Sequence, residues 1–315
     1  MKVAPRLQAL LLKAKTYPPI RTAVIHPCEE YALQGMLEAY REKLIEPVIV
    51  APRKKLERLA QTHDMDLSEF EWIDVPHSHA AADKGVELAR ERMVDALMKG
   101  SLHTEELMSA VMRSDSGMRT GRRMSHIFVL DIPAYPKLLL LSDGGVNIQP
   151  DLEQKADIVR NAVGLAQVIG VEQPKIAVLS AVELVTPKIQ ATIDAAALCK
   201  MVDRGQISGC IIDGPLAYDN AISAQAAKRK GIRSSVSGEA DILIAPEIES
   251  GNLLAKQLEY LAGATAAGLV AGATVPIILT SRSDSPESRV YSCALAILIS
   301  QYKPVEPNPC GLPNI

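Results

Sequence analysis

VPIILTSRSDSPESRVYS, residues 275–292, runs from an apolar stretch through hydroxyls and one arginine into a helix-like pattern. The order of those parts decides the fold class. Residues 275–280 suit a buried strand that stops on Thr280 and Ser281. Ser285 suits a helix N-cap, Pro286 a first helical position and Glu287 a first turn. A buried strand entering a helix through a short polar turn is the repeating unit of parallel α/β proteins. The helix start does not explain Arg282, because a cation there is disfavoured unless an anion lies between them. Two readings stay open: a surface ion pair with Asp284 or Glu287, or an anion site.

Working outward, the same unit recurs. TAVIHP (22–27), PVIVA (47–51), FEWIDV (70–75), HIFVLD (126–131) and KLLLLS (137–142) predict strands in the first half. KIAVLS (175–180), SGCIID (208–213), ADILIA (240–245) and residues 267–271 predict more in the second. Helices are predicted at 29–43, 151–169, 187–203, near 219–230, at 250–262 and at 286–300. Between Ala80 and Lys99, Ala82, Val86, Ala89, Met93, Ala96 and Leu97 step by three or four, which predicts one helix stopped by Gly100. The first residues predict an amphipathic helix rather than a signal peptide, and the tail after Tyr302 is Pro-rich. Apolar strands joined by helices predict a mostly parallel α/β fold, with ligands beyond the carboxyl ends of the strands.

Composition narrows the function. The 315 residues are 48% hydrophobic, ample for one large α/β domain or two lobes. A net charge of −3 and 3% aromatic residues give no footprint for nucleic acid. No apolar run approaches a membrane span. The five cysteines (28, 199, 210, 293 and 310) are scattered without a C-x-x-C pair, as free thiols of a reducing cytosol would be. Walker, dinucleotide-binding, serine-hydrolase and zincin motifs are absent. His77 and His79, with Asp83 nearby, have the residue types of a metal site but no third strong ligand cluster.

The residues that follow the strands carry the chemistry. Asp143 opens a turn through Gly144 and Gly145 to Asn147, where glycine permits close backbone approach. Asp213, Gly214 and Pro215 predict a tight turn, with Asp219 or Asn220 capping the next helix. Gly251 and Asn252 stand near a loop-to-helix junction, where backbone N–H groups meet an anion or Ser250 acts as a plain cap. Arg119, Arg122 and Arg123 surround a Thr120-Gly121 turn, either as a solvated loop or as a phosphate site. Together these turns predict small and polar residues along one rim of the sheet.

DGPLAYDNAIS, GEADILIAPEIESGNLLAKQLEYLAG and VPIILTSRSDSPESRVYS, in that order, resemble the phosphate acetyl/butyryltransferase family. The similarity runs from about residue 18 to 300. LMKGSLHTEELM and DAAALCKMVDRGQISG make it most similar to the transferase half of bifunctional proteins with an enoyl-CoA hydratase domain in front, a part expected to be absent here. The resemblance implies a two-lobed α/β architecture like that of isocitrate and isopropylmalate dehydrogenases. A first lobe would hold residues 1–130 and 282–315, with residues 131–281 inserted as a second lobe. It also implies a cytoplasmic homodimer that joins acyl-CoA and phosphate reversibly, with no bound cofactor, no metal and coenzyme A as substrate. Ser281 would bond the reacting carbonyl or thiol, and Arg282 would hold phosphate. Arg119 with Thr120 would contact coenzyme A or phosphate. Asp143, Asn147, Asp213, Gly214, Gly251, Asn252 and Ser288 would line the substrate site. Acetyltransferase members often place an aspartate, the proposed thiol base, seven residues after the serine. Ser288 stands there in this chain, as in butyryltransferase-like members, so Glu287, Asp284 or a group elsewhere would serve as base. Two rival readings are a non-catalytic acyl-CoA-binding relative and a metal-dependent dehydrogenase on the related fold.

Overall fold

The structure is a computed structural model that describes residues 4–281 and 284–302. Its centre is an eleven-stranded sheet. The first nine elements are α1 (Pro5–Ala14), β1 (Ile20–Ile25), α2 (Glu30–Arg41), β2 (Ile45–Ala51), α3 (Arg53–Thr62), β3 (Glu71–Asp74), α4 (Ser78–Arg90), β4 (Ala96–Lys99) and α5 (Thr104–Met112). The middle of the chain gives β5 (Ser125–Asp131), β6 (Leu139–Ser142), α6 (Leu152–Val168), β7 (Lys175–Leu179), α7 (Gln190–Asp203) and β8 (Ile211–Leu216). Then follow α8 (Tyr218–Ile222), α9 (Ala224–Arg229), β9 (Ile242–Ile244), α10 (Ile248–Tyr260), β10 (Thr265–Ala271), β11 (Ile277–Ile278) and α11 (Pro286–Gln301).

Alternation along the strands builds a core on each face. Val24 and Ile49 join α1, α2, α6, α7 and α11 on one side. Ala23, Ile25, Val48 and Val50 pack with α4 and α5 on the other. Phe128 and Leu130 pack with α10 on that second side, while their neighbours Ile127 and Val129 turn to the first. The helix starts are set locally: Asp151 and Gln154 form a capping box on α6, and Ser285 caps α11 with Pro286 in its first turn.

The strand order is β3-β2-β1-β4-β11-β10-β5-β6-β9-β7-β8. Strands β3, β2, β1, β4 and β11 are mutually parallel, and so are β6, β9, β7 and β8. Between these wings, β11–β10, β10–β5 and β5–β6 are antiparallel. Three reversals leave the two wings pointing in opposite directions. The expected single rim of turns is therefore corrected: carboxyl ends of the two wings face opposite ways, and only loops near the centre can meet.

Three local expectations are corrected as well. Residues 80–99 are not one helix. The chain leaves α4 at Arg90, passes Arg92 in the left-handed region (φ 58) and forms β4, paired to β1 and β11. Tertiary pairing overrides the helical propensity of Ala96, Leu97 and Met98. Gly100 is no helix stop, since a Cβ there would lie 2.5 Å from the His26 carbonyl oxygen. Asp213, Gly214 and Pro215 lie inside β8 rather than in a turn after it, and neither Asp219 nor Asn220 caps α8, whose N-cap is Ala217.

Candidate active site

A cleft beside the central strands holds about 700 Å³. Leu279, Thr280 and Ser281 enter it from the end of β11; Gly144 and Gly145 come from the turn after β6. Ile248, Asn252, Leu253 and Lys256 come from α10, and His126 and Phe128 form the sheet side. The turn after β6 reaches this place by folding back over the sheet. A Cβ on Gly144 would sit 2.9 Å from the Phe128 ring, and one on Gly145 would sit 3.1 Å from His126.

Ser281 is fixed at both peptide groups. Its N–H donates to Asp284 Oδ2 (2.7 Å), and its carbonyl accepts from Arg289 Nη2 (3.1 Å). Arg289 Nη1 also donates to Thr280 Oγ1 (2.5 Å), and Lys99 Nζ donates to the Thr280 carbonyl (3.4 Å). Asp284 Oδ1 is paired with Lys256 Nζ at 3.2 Å, which ties α10 to the turn after β11. Partners Glu259 and Asp284 raise the Lys256 pKa despite its burial, so it is a cation at neutral pH. Arg282, the expected phosphate ligand, lies outside the described residues.

The other expected residues divide by place. Asn252 is in the cleft, its Nδ2 donating to the Gly144 carbonyl (3.1 Å). Gly251 sits behind it: its N–H bonds the Glu247 carbonyl inside α10, and Glu247, not Ser250, is the cap. What Gly251 supplies is room, because a Cβ there would meet the Asp143 carbonyl oxygen at 2.2 Å. Asp143 spends its carboxylate within its own turn, on the N–H groups of Gly145, Val146 and Asn147 and on Asn147 Nδ2. Asn147 is buried too, accepting from Arg123 Nε and donating to the Met124 carbonyl.

Four residue groups stand elsewhere. Glu287 and Ser288 open onto crevices that do not include Ser281; Glu287 accepts from Tyr291 Oη (3.2 Å), and Ser288 Oγ lies 3.2 Å from Ser285 Oγ. Arg119 bridges Ala273, and Thr120 Oγ1 donates to the Gly272 carbonyl (2.7 Å), at the far end of β11 from Ser281. Asp213 and Gly214 lie on β8, six strands from β11, roughly 30 Å away by strand spacing. His77 caps α4, His79 lies beside Glu106, and Asp83 pairs with Arg113. The residues not singled out from sequence are His126, Lys256, Lys99 and Arg289. For Arg289 a signal existed: it is the one charged residue among the mostly apolar buried positions of α11.

The sequence profile described as "Phosphate acetyl/butaryl transferase" matches residues 78–297. The chain belongs to this phosphate acetyl/butyryltransferase family. A phosphate acetyltransferase of Rickettsia felis is 54% identical over 291 residues, 92% of this chain and 83% of that one. A phosphate butyryltransferase of Clostridium acetobutylicum is 39% identical over 294 residues, 93% of this chain and 98% of that one. The branched-chain phosphotransacylase structure from Enterococcus faecalis V583 superposes with a TM-score of 0.77 at 28% identity, covering 90% of this chain and 100% of that one. At 15% identity and a TM-score of 0.53, 4-hydroxythreonine-4-phosphate dehydrogenase from Klebsiella pneumoniae shares the fold alone, over 90% of this chain and 100% of that one. The phosphate acetyl/butyryltransferase architecture is thus a dehydrogenase-like α/β fold, as the sequence resemblance implies.

Proposed function

We propose that this acyltransferase moves a short acyl group, acetyl or butyryl, reversibly between coenzyme A and inorganic phosphate within a ternary complex. The observation that carries the reading is the cleft at the end of β11, where Ser281 is anchored at both peptide groups among cations and faces an apolar wall of Phe128, Leu279 and Leu253. A phosphate oxygen attacks the acyl carbon, the new C–O bond forms, the C–S bond breaks, and the thiolate takes up a proton on release. In reverse, the thiol must lose that proton. The Ser281 hydroxyl bonds the reacting carbonyl or thiol, and Arg282 holds the phosphate. Asp284 and Glu287 remain the carboxylates offered for the proton. Asp284 is the nearer to Ser281, which favours it. The reading takes the cleft as lying between residues 1–130 with 282–315 and the inserted residues 131–281. Support comes from α11, which packs back on α1 and α2.

A cytoplasmic homodimer is part of the same proposal. Among the described residues no helix is long and apolar enough to cross a membrane. The test is thiol release from acetyl-, propionyl- and butyryl-CoA, with and without phosphate. Phosphate-dependent release with formation of acyl phosphate is expected, and its absence with every substrate overturns the reading. Sedimentation of the purified chain checks the dimer.

A further inference from the structure

Arg289 and Lys99 are the two charged members of the set of largest fully buried side chains, and both end at Thr280–Ser281. Arg289 is 1% exposed. Among the described residues its two terminal nitrogens meet a hydroxyl and a carbonyl, and its Nε has no hydrogen-bond partner. Among the described residues no carboxylate stands within ion-pair distance of it. Asp284, the strongest acidic influence on it, is already taken by Lys256 and the Ser281 N–H. The adjacent Cys293 thiol, pushed up to about 12 by burial, is neutral. The fold also clears space for this side chain: a Cβ on Gly35 of α2 would lie 2.3 Å from Arg289 Cδ. Burying an unpaired guanidinium is costly, and an apolar residue of the same size would fill the position at lower cost.

We propose that Arg289 is a positioning residue that fixes the Thr280–Ser281 turn and supplies, from beneath it, a buried counter-charge for the phosphate bound in the cleft. The inference rests on the phosphate acyltransferase reading. A desolvated cation acts over a longer range than one in water, and no carboxylate among the described residues neutralises it directly. The incoming phosphate therefore completes the charge balance. Holding the fork rigid also keeps Ser281 in one orientation without reorganisation during the reaction.

The test is to compare wild type with Arg289→Met and Arg289→Lys, measuring thiol release from acetyl-CoA and the unfolding temperature with and without inorganic phosphate. For Arg289→Met, the KM for phosphate rises about tenfold or more while that for acetyl-CoA stays within about twofold. Its unfolding temperature without phosphate is unchanged or higher, and the increase that phosphate produces in wild type shrinks. Arg289→Lys keeps the charge without the fork, so it holds a phosphate KM near wild type with a lower kcat. Arg289→Gln carries the same expectation as the Met variant if that one does not fold. A neutral variant with wild-type phosphate KM and wild-type stabilisation by phosphate overturns the inference. So does one that loses stability and both substrates equally. If wild type itself shows no phosphate-dependent release, the acyltransferase reading falls. The phosphate-dependent shift in unfolding temperature then still decides the role of Arg289.

Discussion

At Ser281 both peptide groups are bonded, the N–H to Asp284 and the carbonyl to Arg289. Replacing the side chain by alanine leaves those anchors in place and removes only the hydroxyl. Ser281→Ala should therefore fold normally, with circular dichroism and unfolding temperature near wild type, while kcat falls about 10²–10³-fold, the usual cost of one lost transition-state donor. Glu287→Gln should leave the pH–rate profile unchanged, because that carboxylate faces Tyr291 and crevices that exclude Ser281. Loss of one limb of the profile in this variant would make Glu287 the base after all. The hydroxyl turn and the cap of α11 were legible because their residue types are tied to local backbone positions. Lys256 was not, since nothing local marks an ammonium that spans from α10; the arginine within α11 was visible, but not that its guanidinium reaches back eight residues.

Helix α10 and the turn after β6 form one unit. They touch through Gly251, whose missing Cβ lets the Asp143 carbonyl approach, and through Asn252 to Gly144. Gly251→Ala should force α10 away from the turn, costing about 1–3 kcal/mol of stability by overpacking and lowering activity well beyond that loss. Denaturant unfolding beside kinetics checks both parts, and an alanine variant with unchanged activity would separate the unit from the site. The sequence marked Gly251 for another reason, exposed N–H groups at a helix start. Its glycine was visible, but the close approach that needs it is a contact between residues more than a hundred apart. The misread helix over 80–99 is the same limitation. Ala96-Leu97-Met98 fits a helical stripe as readily as a strand, and only β1 and β11 on either side decide it.

For the molecule as a whole, two buried histidines begin the loss of stability as pH falls. Desolvation lowers the pKa of His126 and of His26 from the ordinary 6.5. Below that value the unfolded chain takes up protons that the folded chain refuses, so stability is full above it and is lost as pH falls. The slope is at most about 1.4 kcal/mol per pH unit for each histidine. The unfolding temperature should hold steady at neutral pH and decline as pH falls below 6.5. His126→Gln, whose amide can still donate to the Leu279 carbonyl, should flatten the decline; an unchanged slope would assign it elsewhere. The α/β class was legible across the whole chain, because buried parallel strands read as apolar runs. The opposed wings were not, because direction is settled by which strands pair.

The brevity of β11 has a mechanical meaning. Only Ile277 and Ile278 pair with β4 on one side, and the same two residues pair with β10 on the other. Every other junction of the sheet along that line is wider or lies beyond the cleft. A sheet resists local opening least where the fewest ladder bonds cross a junction. Here that narrow seam ends at Ile278, three residues before the serine, so any change of sheet curvature at β11 would reach its hydroxyl directly.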